Sequence, residues 1–181
     1  MRRRHFLAAA AAIPLTLGVA PAMADDAANL AEDAQTALSR LLEADPRAKD
    51  LADASVAALV FPRILKAGVV VGGSYGEGAL LKDGAAEAFY NSVAASYGLQ
   101  LGAQTFGYAL FFMNEEALSY LDRSDGWEIG SGPSVVVVDE GLATRMSSTT
   151  LSQDVYAVFF NQTGLMAGLG IEGSKISRID P

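Results

Sequence analysis

Two short runs, Ala109-Leu110-Phe111-Phe112 and Val135-Val136-Val137-Val138, are apolar at every position. A strand with one wet face alternates apolar with polar residues, so runs without alternation predict strands covered on both sides. The neighbouring segments are brief, apolar and broken by glycine: Val56 to Phe61, ended by Pro62, then Gly68 to Ser74, Glu77 to Lys82 and Ala88 to Val93. Gly98 to Gln104 alternates small or polar with larger residues, and Gly107 to Met113 continues as an apolar stretch. Further strands are expected at Trp127 to Gly130, Ser134 to Asp139, Val155 to Asn161 and Ala167 to Arg178. A transmembrane barrel requires strands of ~10 residues that alternate polar with apolar between aromatic girdles, and these runs do not alternate in that way.

Helical periodicity is confined to two regions. From Ala27 to Glu43, Leu30, Ala34, Leu38, Leu41 and Leu42 recur at three- and four-residue spacing, with Glu32, Asp33 and Arg40 on the remaining face. Pro46 disfavours helical geometry at Asp45 and ends this helix; Asp45 and Pro46 then read as the N-cap and first position of a second helix through about Ala54. Asn114-Glu115-Glu116 opens an internal helix, with a capping Asn, two acids in the first turn, and Leu118 and Leu121 on its apolar side. The expected architecture is α+β: an antiparallel, strongly curled sheet or small barrel-like sandwich, with N-terminal helices and one internal helix packed outside.

The N-terminus reads as a twin-arginine export signal spanning residues 1–24. Arg3-Arg4-His5-Phe6-Leu7 precedes an apolar stretch from Ala8 to Ala20, and Ala22-Met23-Ala24 supplies small residues for a peptidase pocket. Cleavage is expected between Ala24 and Asp25, giving an exported, periplasmic or secreted chain of one domain over residues 25–181, with N-terminal helices at 27–54. The signal holds three of the 13 Lys and Arg residues and none of the 21 acids, leaving ten cations against 21 carboxylates, a net charge of −11. That balance argues against nucleic acid and against a polybasic grip on anionic membranes. There is no Cys, and the single His, His5, lies in the signal. The exported chain is thereby without Ser-His-Asp, Cys-His or His-zinc chemistry, and no metal or cofactor site is expected.

At Leu59-Val60-Phe61-Pro62-Arg63-Ile64-Leu65-Lys66-Ala67-Gly68 the chain resembles the SYLF domain family, also called Ysc84 or DUF500. Further matching blocks are Gly72 to Gly78, Phe89-Tyr90-Asn91, Gly98 to Gln104, and Asn161 to Gly173, together covering roughly residues 50–179. The resemblance implies a non-catalytic lipid-binding domain. Eukaryotic members associate with phosphoinositide membranes and actin, and their lipid binding is aided by a basic amphipathic N-terminal segment, whereas this chain carries Asp25, Asp26, Glu32, Asp33, Glu43 and Asp45 there. The implied partner is a phospholipid or membrane surface of the cell envelope, with an envelope protein as the alternative.

Four cations are the candidate lipid-headgroup contacts. Arg63 and Lys66 stand around the turn expected after Pro62, and Lys175 and Arg178 lie on the final strand, where they are expected to share one sheet face. Any binding to anionic lipid must come from such a local patch, since the net charge repels an anionic surface at long range. Two carboxylates next to glycines, Glu77 and Glu172, are a separate candidate pair for hydrolase chemistry. Trp127, Tyr75, Tyr90 and Tyr97 would line an apolar groove if they are not core. Gly72-Gly73 and Gly76-Glu77-Gly78 precede no helix and no Gly-Lys-Ser/Thr, so they lack the context of a phosphate loop.

Overall fold

The computed structural model describes residues 20–68, 71–97, 102–123, 125–138, 151–164 and 173–181. Two helices, α1 (Ala20–Ala44) and α2 (Pro46–Ala54), precede four long strands, β1 (Ala57–Gly68), β2 (Val71–Lys82), β3 (Ala85–Tyr97) and β4 (Gly102–Phe112). A short helix α3 (Glu115–Leu118) runs into a 3-10 turn (Ser119–Asp122), and β5 (Trp127–Glu128), β6 (Val135–Val137), β7 (Val155–Gly164) and β8 (Lys175–Ile179) follow.

All eight strands form one curled sheet in the order β5-β8-β3-β2-β1-β4-β7-β6. The sheet is mixed rather than antiparallel throughout, because β6 lies parallel to β7. The segment joining them is long enough to carry the chain back to the same end of the sheet, which a tight hairpin cannot do. Among the described residues the sheet also does not close into a barrel. Its edges are the two-residue β5 and the three-residue β6, short strands that offer little unpaired backbone.

The central strands are covered on both faces. Leu59, Phe61, Leu80, Tyr108, Leu110 and Phe112 pack with Ala117 and Leu121 of the α3 region and with Trp127. Their alternates Ala58, Val60, Ala79, Ala109 and Phe111 pack beneath Ala34, Ala37 and Leu41 of α1 and Ala48 and Leu51 of α2. The run Ala109 to Phe112 is thus buried throughout, as a run without alternation demands. Val135 to Val137 are only partly covered, because β6 is an edge strand.

The helices begin and end for local reasons. Asp45 caps α2 by accepting from the Arg47 backbone N–H at 3.0 Å, and the Arg47 guanidinium grips both carboxylate oxygens at 2.7 Å. That hydrogen bonding holds the Asp45 carboxyl below its usual range against the opposing effect of burial. The Asn114 side chain caps α3 by accepting from Ala117 N–H at 2.8 Å. α1 is longer than its periodicity predicts, starting at Ala20 and running through the expected cleavage point after Ala24.

Pro62 does not end β1. It has no ladder partner toward β2 or β4, because the register shifts between Val60 and Arg63 on the β2 side and between Phe61 and Ile64 on the β4 side, which lifts Pro62 out of the pairing. A bulge is where a central strand tolerates proline. Across from it, a Cβ at Gly78 would lie 2.3 Å from the Val60 carbonyl oxygen, and one at Gly76 would lie 2.4 Å from that of Arg63. Only glycine fits there, and β2 therefore runs unbroken where two segments separated at Tyr75-Gly76 are expected from the sequence. The final strand is shorter than expected at Lys175–Ile179, and residues 165–172 lie outside the described residues.

Candidate functional site

Beyond the ground covered by the helices, the α1 face of the sheet continues with large apolar side chains in the open. Leu65 pairs with Tyr75 on β2 and Thr105 on β4; Tyr75 pairs in turn with Val93 on β3, and Val93 with Lys175 on β8. Paired residues in a sheet share a face, so these side chains form a continuous row, extended on β7 by Thr163, whose Oγ1 lies 2.6 Å from that of Thr105. Leu65 is 53% exposed, Tyr75 50% and Val93 45%, and Val71, further along β2 on the same face, is 60% exposed. Among the described residues Val137 is the one other large exposed apolar side chain, and it stands on the far edge strand.

The four expected headgroup cations do not form one patch. Lys175 lies in the apolar row, and Arg63, two residues before Leu65, is on the same face. Lys66 lies on the opposite face, paired with Gln104 and Ser74. Arg178 is also on the opposite face, paired with Tyr90 and 3.9 Å from the Asp122 carboxylate in a cleft of about 200 Å³. Lys175 and Arg178 are separated because they are three residues apart in a period of two, so their expected shared face is corrected. Arg63 and Lys66 are separated for the same reason.

Where α1 crosses the sheet, a cleft of about 380 Å³ opens beside the apolar row. Arg63 and Glu77 reach it from directly paired positions of β1 and β2, and Asp33 and Arg40 reach it from α1. Neither guanidinium is ion-paired among the described residues. Glu77 accepts a 2.5 Å hydrogen bond from the Tyr75 hydroxyl, and that bond, with some desolvation, raises the Tyr75 phenol above its ordinary value. Asn161 borders the cleft with a φ of +52° at the irregularity where β7 loses register with β4. Arg40, Asp33 and Asn161 were not recoverable as site residues from sequence, since Arg40 and Asp33 reach the cleft only through the crossing of α1 over the sheet and Asn161 only through the pairing of β7 with β4.

Of the aromatics considered for a groove, Trp127 and Tyr90 are core and Tyr75 is in the apolar row; the Tyr97 side chain lies outside the described residues. Glu172 also lies outside them, so the Glu77 and Glu172 pair has no described geometry. Among the described residues no group of His, Cys, Asp and Glu could hold a metal ion, and no helix is long and apolar enough to cross a membrane.

Residues 93–180 match the family model Ysc84, described as Las17-binding protein actin regulator. The match covers 88 of the 181 residues and is consistent with the resemblance to the SYLF family. The Ysc84 match begins at Val93, in the apolar row, and runs through β8. The resembling blocks Leu59 to Gly68 and Gly72 to Gly78 precede it, as do α1 and α2. No curated protein matches the chain.

Proposed function

We propose that this chain is an exported, non-catalytic lipid-binding protein of the cell envelope that meets the membrane with the open end of its α1 sheet face. The observation that carries the reading is the row Leu65, Tyr75 and Val93, with Val71 beyond it, gathered on one face and left uncovered. Scattered single apolar residues need no explanation, but a contiguous set rimmed by polar groups marks a contact surface. Arg63 and Lys175 flank the row and supply cations for phosphate groups, while Lys66 and Arg178 face away. Export rests on the Arg3-Arg4 signal and the small residues before Asp25.

Vesicle flotation of the purified protein, with mass spectrometry of the lipids extracted from it, tests the reading. The protein is expected to float and to carry phospholipid. If it stays at the bottom of the gradient and carries none, the same apolar row serves a protein partner. The Ysc84 description, which names a Las17-binding protein, favours that second reading.

A further inference from the structure

The cleft between α1 and the sheet presents two guanidinium groups, Arg40 and Arg63, and two carboxylates, Asp33 and Glu77. Their formal charges cancel, yet no ion pair closes among them, even between the directly opposed Arg63 and Glu77. A simple anion entering the cleft would face two carboxylates, and a simple cation two arginines. A ligand bearing both signs matches all four.

We infer that the cleft takes a phosphoethanolamine group, its phosphate against Arg40 and Arg63 and its ammonium against Asp33 and Glu77. The inference rests on the lipid-binding reading above and specifies the headgroup. Guanidinium forks fit phosphate oxygens, and a primary ammonium donates three hydrogen bonds that carboxylates accept. Choline fits less well, because quaternary ammonium is held by aromatic cages and no aromatic ring lines this cleft. Asn161 adds an amide at the rim. The volume, about 380 Å³, falls within the range of small-ligand sites. Position supports a lipid as the source, since Arg63 is two residues from Leu65 and Glu77 two from Tyr75, so a headgroup in the cleft places its chains along the apolar row. A zwitterionic surface also spares the acidic chain the long-range repulsion of an anionic one.

The test compares flotation on vesicles of phosphatidylcholine alone, of phosphatidylcholine mixed with phosphatidylethanolamine, and of phosphatidylcholine mixed with phosphatidylglycerol. NMR titration with soluble glycerophosphoethanolamine and glycerophosphocholine runs beside it. The expected result is about tenfold tighter binding to the phosphatidylethanolamine mixture than to phosphatidylcholine alone. The double variant Arg40→Gln/Arg63→Gln should fall to the phosphatidylcholine level. Asp33→Asn/Glu77→Gln, which leaves both arginines uncompensated, should instead shift its preference to phosphatidylglycerol, an inversion that mere loss of structure does not produce. All four side chains border an open cleft, and an unchanged melting temperature checks that each variant folds. Vesicle binding with no preference for phosphatidylethanolamine, or a wild-type preference for phosphatidylglycerol, overturns the headgroup inference while the membrane reading stands. Binding of glycerophosphoethanolamine, lost in the arginine variant, without vesicle binding supports the cleft's chemistry and assigns it to a free compound, overturning the membrane reading. Failure of both probes overturns both.

Discussion

Replacing Leu65 and Val93 together with Thr tests whether the apolar row is a membrane contact. Both are about half exposed, at 53% and 45%, so about half of each side chain's apolar surface remains to be buried against lipid. Full burial of such a side chain is worth ~1.5–3 kcal/mol, so the exposed halves contribute about 1 kcal/mol each. Removing about 2 kcal/mol weakens vesicle binding about 30-fold. Thr is β-branched and suits a strand, and both sites are half exposed, so the fold should tolerate the change with a melting temperature within a few degrees of the original. Val137→Thr is the control: it removes similar exposed apolar surface from β6, away from the row, and should leave binding unchanged. The assay is flotation on neutral vesicles, where screening of charge plays little part. If the double variant floats as well as the original, or the control loses as much as the double variant, the row is not the contact.

Gly78→Val should destabilise the fold by about 1–3 kcal/mol in urea unfolding, because the new side chain drives into the Val60 carbonyl and the Phe61 ring. The buried Tyr108 hydroxyl donates to Ser92 Oγ at 2.8 Å, so Ser92→Ala should cost ~1–3 kcal/mol by stranding it, whereas Ser92→Ala with Tyr108→Phe should cost less than the two single changes added. Asp154 accepts from the Ser134 N–H at 2.9 Å, the Ser134 hydroxyl at 2.8 Å and the Asn114 amide at 3.1 Å, and these bonds lower its pKa from 3.8. A lowered folded-state pKa gives stability that is present above the unfolded value and lost as pH falls through the folded one, so the urea midpoint of Asp154→Asn should fall less steeply than that of the original below about pH 4.

Much of the local structure was legible because it depends on neighbours in sequence. The Asp45-Pro46 start of α2 and the Asn114 cap of α3 need only the residues that form them, and the unbroken apolar run Ala109 to Phe112 announces a strand with two dry faces. The parallel pairing of β6 with β7 was not legible, since periodicity says which face a strand buries and nothing about which neighbour it takes. The candidate site was half legible for the same reason. Arg63 could be singled out as a cation beside a proline, but the identity of its neighbours depends on how α1 crosses the sheet.

The bulge at Pro62 decides which residues the site contains. Phe61 faces the α3 side, and regular alternation from there would send Arg63 and Leu65 to that side and Ile64 and Lys66 to the α1 side. The register shifts around Pro62 insert one residue and reverse the pattern. Ile64 thereby returns to the α3-side core, where it is 1% exposed, and Arg63 and Leu65 emerge beside α1. The same kink presses the β1 backbone toward β2, which is why Gly76 and Gly78 stand opposite it. Proline, the two glycines, the buried isoleucine and the outward Arg63 and Leu65 are therefore one structural device. It buries the apolar half of Pro62-Arg63-Ile64-Leu65-Lys66 that the core needs and delivers a cation and an apolar side chain to the face where the cleft and the open row meet.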